Sequence, residues 1–340
     1  MRSKRPTPRV LSWLLRPPAL LYGGIIRARN CYYDRVAGAV LRSALPVISV
    51  GNITVGGTGK TPLVIEVVRR LHALGRHPAI LTRGYKATPG QEADEVLEFR
   101  TALGDVAIVV NPDRVAGAAT AEAQPAVDCL VLDDGFQHRR LARDLDIVVL
   151  DALDPWGRGA MLPAGRLREP LAGLRRADLF VINRANQVPP EHVLAITDTL
   201  HRRGATQPIV TAAIEPDALV LDDTHQLPPT ALAGQRVLAV CGLGNPDTFV
   251  RLVASLAGAI ETAIFADHQH YAPDRVSTIQ AAAQRMRATM VVTTRKDWVK
   301  LAPLWVGNEP PLARLDVRVV LQSAADAFDA CLRRVMERRR

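Results

Sequence analysis

Pro46-Val-Ile-Ser-Val-Gly-Asn-Ile-Thr-Val-Gly-Gly-Thr-Gly-Lys-Thr61 carries an apolar, β-branched run into a glycine-rich loop that closes on Gly59-Lys60-Thr61. That order suits an anion. Backbone N–H groups at the glycines and at the first turn of the next helix converge on one point, Lys60 can reach terminal phosphates, and the Thr61 hydroxyl can ligate Mg²⁺. Gly56, Gly57, Thr58, Gly59, Lys60 and Thr61 are therefore the candidate nucleotide-binding residues. The first glycine of the usual pattern is replaced by Thr54, with Gly51, Gly56 and Gly57 around it. Leu63, Val64, Val67, Val68 and Leu71 then recur at helical spacing, so strand, loop and helix follow in the order a phosphate loop requires.

Working outward, short β-branched runs alternate with helical patterns, which predicts an α/β fold: a P-loop NTPase-like, mostly parallel sheet flanked by helices. The expected strands are Pro46–Val50, Pro78–Thr82, Val106–Val110, Cys129–Leu132, Ile147–Leu150, Leu179–Ile182, Pro208–Ala213, Val237–Cys241, Thr262–Phe265, Met290–Thr293 and Val317–Leu321. So many strands for one sheet, with breaks at Pro189-Pro190 and around 222–229, divide the chain into a nucleotide-binding domain over 46–225 and a smaller second α/β domain over 226–340 that contributes to the active site. Residues 324–340 read as an amphipathic terminal helix ending in three arginines. The four cysteines, Cys31, Cys129, Cys241 and Cys331, fit no metal spacing and are expected to be unpaired thiols.

Residues 1–45 hold nine Arg or Lys against the single acid Asp34, so this segment supplies eight of the chain's net +9 charges. Trp13, Leu14, Leu15, Leu20, Leu21, Tyr22, Ile25 and Ile26 are interleaved with Arg9, Arg16, Arg27 and Arg29, the pattern of a basic amphipathic helical segment at a membrane surface. Arg16-Pro17-Pro18 interrupts the apolar run, which is far short of the roughly 20 residues a spanning helix needs. With aromatics at only 4%, little is available for base stacking, and no nucleic-acid partner is expected. No stable protein partner is read from the chain either.

A second chemical cluster follows at Leu132-Asp-Asp-Gly-Phe-Gln-His138. Asp133 and Asp134 stand at the mouth of a buried strand, where a phosphate-loop protein places its magnesium-side acid, and adjacent carboxylates favour a cation. Together with Ser49-Val-Gly-Asn-Ile-Thr-Val-Gly-Gly-Thr-Gly-Lys-Thr-Pro62, this segment resembles the tetraacyldisaccharide 4'-kinase family. Thr82-Arg-Gly-Tyr85, Ala93-Asp94-Glu95, Asp113-Arg114, Leu162-Pro-Ala-Gly-Arg-Leu-Arg168-Glu169-Pro170, Ala266-Asp-His268-Gln-His270-Tyr271 and Thr293-Thr-Arg-Lys296-Asp297 are similar to the same family in the same order.

The resemblance implies transfer of the ATP γ-phosphoryl group to the 4'-hydroxyl of a tetraacylated glucosamine disaccharide 1-phosphate, forming lipid IVA in lipid A biosynthesis. It places that reaction at the cytoplasmic face of a Gram-negative inner membrane, with ATP and Mg²⁺ as cofactors and the acylated disaccharide phosphate as partner. By family position Asp94 is the catalytic carboxylate and His268 its partner, with His270 as alternative because Gln269 stands where the family has a second histidine. Thr61 with Asp133 or Asp134 would hold the metal, Gln137 and Glu169 would be outer or shared ligands, and Arg114, His138 and Arg168 would contact phosphate or disaccharide. Without the family, Asp94 sits in an acidic run, Glu92, Asp94, Glu95 and Glu98, that reads as a solvated helix start. Asp297 directly follows Lys296 and reads as a helix N-cap, which favours ATP over a guanine-reading motif. Two other functions stay open on the residues alone: a phosphate-loop GTPase or ATPase acting on a protein client at the membrane, in metal or cofactor insertion, and a non-catalytic nucleotide switch.

Overall fold

The apolar run ahead of the glycine-rich loop forms strand β1 (Val47–Gly51), buried at every position. The computed structural model describes residues 14–84, 92–222, 224–267, 269–307 and 309–337. They fall into two units, the first drawn from Met1–Arg83, Asp105–Ala213 and Val320–Arg340, the second from Gly84–Gly104 and Ile214–Val319.

In the first unit β1 is joined by β2 (Pro78–Thr82), β3 (Ala107–Val110), β4 (Cys129–Asp133), β5 (Leu145–Asp151), β6 (Leu179–Asn183) and the start of β7 (Ile209–Val220), in the parallel order β7-β6-β5-β1-β4-β2-β3. β1, β2, β4, β5 and β6 are buried throughout, as expected of a parallel sheet covered on both faces. One apolar layer gathers Val47, Leu81, Leu130 and Leu132 with Ala118 and Ala121 of the Arg114–Glu122 helix. Another gathers Phe136, Val148, Leu150, Phe180 and Ile182 with Ile196 and Leu200 of the Pro190–Arg202 helix. Because β1 lies between β4 and β5, the phosphate loop and Asp133 emerge side by side, with Val50 in register with Asp133.

Pro17 and Pro18 do not break the N-terminal helix. They open it, occupying the first turn of a 20-residue helix, Arg16–Arg35, where a missing N–H costs nothing. Among the described residues no helix is long and apolar enough to cross a membrane.

The second unit holds the rest of β7, β8 (Gln226–Leu227), β9 (Arg236–Cys241), β10 (Ala259–Ile264), β11 (Met290–Thr293) and most of β12 (Leu312–Leu321). β10, β9, β11 and β12 run parallel in that order, and β8 returns antiparallel on β7 through Leu219 and Leu227. All eleven expected strands are present, and β8, two residues long, is the addition. The division of the chain differs from the expected break at 225/226. It falls at Ala213/Ile214 inside β7, and the chain re-enters the first unit inside β12. The terminal helix, described over Ala325–Glu337, belongs to that first unit, where Asp329 pairs with Arg70 and Phe328 lies under the Arg70 guanidinium at 5.5 Å. Residues 84–104 belong instead to the second unit, anchored by the buried Val96 and Phe99.

Candidate active site

The phosphate loop begins where backbone crowding demands glycine: a Cβ on Gly51 would stand 2.5 Å from that of Phe136. Gly56 and Gly59 adopt φ of +111° and +79°, conformations that favour glycine. Gly59 caps the Lys60–Ala73 helix without any side-chain hydrogen bond, leaving the first-turn N–H groups for an anion. Inside the loop, the buried Asn52 side chain donates to Thr58 Oγ1 at 3.0 Å. Gly56 and Gly57 are exposed, and Thr61 stands on the first turn behind Lys60.

Beside the loop, β4 delivers Asp133 and Asp134. Asp134 takes a left-handed backbone, φ +52°, an uncommon geometry for a non-glycine residue that turns the chain sharply off the strand. Its carboxylate lies 3.4 Å from the Lys60 ammonium and 2.5 Å from Arg168 Nη1. Burial pushes this carboxyl up, but the Lys60 and Arg168 charges outweigh it and hold it at about 2. Asp133 is buried, and its carbonyl accepts from Arg114 Nη2 at 3.2 Å. Arg114 is itself buried and also donates to Asn111 O at 2.8 Å, so it braces the end of β4 through backbone oxygens.

Arg168 reaches the loop because its segment pairs with it: Arg168 N donates to Ile53 O, and Val55 N donates to Arg166 O, both at 2.8 Å. Glu169 is fully buried. Its oxygens accept from Gln137 Nε2 and Arg176 Nη2, each at 2.8 Å, and from Asn30 Nδ2 at 3.3 Å. Gln137 Nε2 also donates to Asn52 O at 2.7 Å, so Gln137 and Glu169 form a supporting layer under the loop and Arg168. The Arg16–Arg35 helix shares in it, since Tyr22 Oη donates to Arg168 O at 2.9 Å and Arg139 pairs with Asp34 and holds Asn30 O. His138 is half-buried, and burial followed by the nearby Arg114 charge lowers its pKa to about 4, so the ring is neutral at pH 7. Its Nε2 has no hydrogen-bond partner among the described residues, leaving it an acceptor or donor for an incoming hydroxyl.

The donor set fits Mg²⁺. That ion takes one or two carboxylates and fills its other positions with phosphate and water, and Thr61, Asp133 and Asp134 supply such a set beside the loop. Among the described residues no group of three His, Cys, Asp or Glu forms a dedicated metal cage.

In the second unit, Asp94 opens the Asp94–Leu103 helix and pairs with Lys300 Nζ at 2.6 Å. Lys300 also reaches Gln269 O at 3.3 Å, tying Asp94 to the segment next to His268. His268 itself lies outside the described residues; His270 is exposed. The acidic run is not uniformly solvated: Glu92 pairs with Arg100 at 3.0 Å, whereas burial pushes the Glu98 carboxyl up to about 7. Asp297 is not an N-cap. Thr294 caps the Arg295–Leu301 helix, and Asp297 is fully buried, accepting from Gly242 N, Thr294 Oγ1 and Tyr271 Oη at 2.8, 2.8 and 3.1 Å. Asp297, directly after Lys296, looked like a cap because it shares the first turn with the capping Thr294. Lys300 and Arg176 were not singled out from sequence; the spacing of Lys296 and Lys300, one helical turn apart, was the available signal for the first.

The sequence profile described as Tetraacyldisaccharide-1-P 4'-kinase matches residues 11–337. A tetraacyldisaccharide 4'-kinase of Anaeromyxobacter sp. (strain Fw109-5) is 39% identical over 347 residues, spanning 94% of this chain and 93% of its own. The tetraacyldisaccharide 4'-kinase of Halothermothrix orenii is 39% identical over 285 residues, 75% of this chain and 74% of its own. Among solved structures, the "apo" form of LpxK from Aquifex aeolicus in complex with ATP matches with a TM-score of 0.74 at 28% identity, over 94% of this chain and 98% of that one.

Proposed function

The chain belongs to the tetraacyldisaccharide-1-P 4'-kinase family, and from that premise we propose how its residues divide the work of phosphoryl transfer. The enzyme is an ATP-dependent kinase of lipid A biosynthesis that phosphorylates the 4'-hydroxyl of a tetraacylated glucosamine disaccharide 1-phosphate. The observation that carries the assignment of roles is the Lys60–Asp134–Arg168 arrangement beside a helix start with unused N–H groups. Lys60 and those N–H groups take the β- and γ-phosphates. Thr61, Asp133 and Asp134 would hold Mg²⁺, which would supply charge neutralisation at the phosphate oxygens. Gln137 and Glu169 orient Arg168, and Arg168 and His138 contact the acceptor's phosphate or sugar groups, while Arg114 supports Asp133.

Asp94 is the base. The 4'-oxygen attacks the γ-phosphorus, the bond from that phosphorus to the β–γ bridging oxygen breaks, ADP leaves, and the hydroxyl proton passes to the Asp94 carboxylate. His268 partners Asp94, with His270 as the alternative. Lys300 sets where the Asp94 carboxylate points.

The Arg16–Arg35 helix is the membrane-docking element, at the cytoplasmic face of a Gram-negative inner membrane. Its Leu20, Leu21 and Ile25 are 58–76% exposed, as is Leu14 just ahead of it, while Ile26 and Tyr22 face the rest of the first unit. Exposed Arg16, Arg27 and Arg35 surround that apolar face, the composition of a helix lying in an anionic interface.

The test of function is incubation with Mg²⁺, γ-labelled ATP and the tetraacylated acceptor in detergent micelles. Label is expected in the lipid and is expected to vanish with Lys60→Ala; absence of labelled lipid from wild type would refute the kinase assignment. For docking, replacing Leu20, Leu21 and Ile25 by Asn is expected to weaken binding to phosphatidylglycerol vesicles by about tenfold or more, since each buried aliphatic contributes up to roughly 1.5–3 kcal/mol. Unchanged vesicle binding would remove this role from the helix.

A further inference from the structure

An anion nest works only if its carbonyls turn away from the ligand, and carbonyls turned into protein need donors. Three side chains from outside the loop supply them. Arg166 Nε donates to Val55 O at 3.0 Å, Arg184 Nη2 donates to Gly57 O at 3.0 Å, and Asn183 Nδ2 donates to Thr58 O at 2.9 Å. The two arginines thus flank Gly56, whose missing side chain leaves room for the Arg166 guanidinium: a Cβ there would overlap Arg166 Nη2.

Both arginines are aligned in turn by acids at the mouth of β5, the strand beside β1. Arg184 pairs with Asp151, and both are buried, at 6% and 7% exposure. Arg166 pairs with Asp154 at 3.3 Å. Arg184 also adopts a left-handed backbone, φ +59°, an unfavourable conformation for arginine that its fixed side-chain contacts hold in place. A planar guanidinium can satisfy a carboxylate and a carbonyl together, which a lysine ammonium on a flexible stem does less well. Neither arginine belongs to the glycine-rich motif, and the fold alone brings them to it.

We propose that Arg184 and Arg166, aligned by Asp151 and Asp154 and joined by Asn183, are positioning residues that hold the phosphate loop in its nucleotide-accepting shape. The inference rests on the loop being the nucleotide site. It assigns these arginines to the loop's carbonyls, so their removal weakens nucleotide binding and leaves the lipid acceptor unaffected.

The experiment measures the affinity of a nonhydrolysable ATP analogue with Mg²⁺, and KM for ATP and for the acylated disaccharide, in Arg184→Met, Arg184→Lys, Arg166→Met and Lys60→Ala. Arg184→Met is expected to weaken nucleotide binding about tenfold, the scale of one charge-assisted hydrogen bond lost from a part-buried carbonyl. KM for ATP should rise with it while KM for the acceptor stays within about twofold, and Arg184→Lys should fall between wild type and Arg184→Met. Arg166→Met, at a side chain 30% exposed, should show the same split and decides the matter if Arg184→Met does not fold. Nucleotide affinity within about twofold of wild type in the folded variants, with Lys60→Ala impaired, overturns the brace alone; so does a parallel rise of both KM values. An unimpaired Lys60→Ala overturns the nucleotide-site reading and the brace with it.

Discussion

Asp134 and Glu98 each stand near two cations, yet their carboxyls move in opposite directions. Burial raises both. At Asp134 the contacts from Lys60 at 3.4 Å and Arg168 at 2.5 Å outweigh it, and the carboxyl is held at about 2. At Glu98 burial prevails and the carboxyl rises to about 7, because the nearby Arg295 and Lys296 are engaged elsewhere, each at 2.6 Å, on Asp316 and Asp267. A cation already neutralised by a closer acid does little for a third group. The phosphate-loop region therefore keeps its acid charged at neutral pH, whereas the Asp94–Leu103 helix carries an acid that is half protonated near pH 7, one helical turn from Asp94.

Asp94→Asn should lower kcat by about 10²–10⁴-fold, the range for loss of a general base, as read from initial rates of lipid labelling; a rate within tenfold of wild type would take the base role away from it. Arg168→Met comes next. Removing the closer cation from Asp134 should cost ~10–100-fold in kcat/KM for the acceptor, given the strength of charge-assisted contacts. Lys300→Met should cost about tenfold or less in kcat, because Lys300 orients the Asp94 carboxylate and does not itself touch the reacting atoms, and Lys300→Arg should restore most of it.

The smallest effects are on stability and carry opposite pH signs. Glu98 has a folded pKa above its unfolded value, so its contribution is fully favourable below about 4.5 and is lost as pH rises through 7. Glu98→Gln should therefore raise urea stability at pH 8 by ~1–3 kcal/mol and change little at pH 4. Asp134 is the reverse: its folded pKa is depressed, so its contribution is present above 3.8 and is lost as pH falls toward 2. Asp134→Asn should therefore lower urea stability at pH 8 and flatten the acid limb of unfolding, because the contribution that acid would have removed is already gone. His138 acts between them. Its folded pKa is also depressed, to about 4, and because its neutral form is the one the fold accepts, stability declines as pH falls from 6.5 to 4.

Local pattern made much of this legible. Strand positions followed from β-branched runs, and the phosphate loop and Asp133-Asp134 announced themselves by type and spacing. The partition of the chain did not, because residues 84–104 and the Ala325–Glu337 helix join units remote in sequence. Lys300 and Arg184 were equally hidden: each acts on partners 31 to 206 residues away, a relation that only the folded chain creates, while Arg176 meets Glu169 seven residues back only because both turn under the phosphate loop. Asp297 misled for a related reason, since a buried acid that accepts three hydrogen bonds has the same local sequence as a solvent-facing cap.

The central claim is that nucleotide binding belongs to the Lys60 loop and proton removal to Asp94. Equilibrium binding of a nonhydrolysable ATP analogue with Mg²⁺, measured beside lipid labelling in Lys60→Ala and Asp94→Asn, tests it most directly. Lys60→Ala is expected to lose both nucleotide and transfer, whereas Asp94→Asn is expected to keep nucleotide affinity within about twofold and to lose transfer. An Asp94→Asn enzyme that releases nucleotide, or that still labels lipid at the wild-type rate, would contradict it.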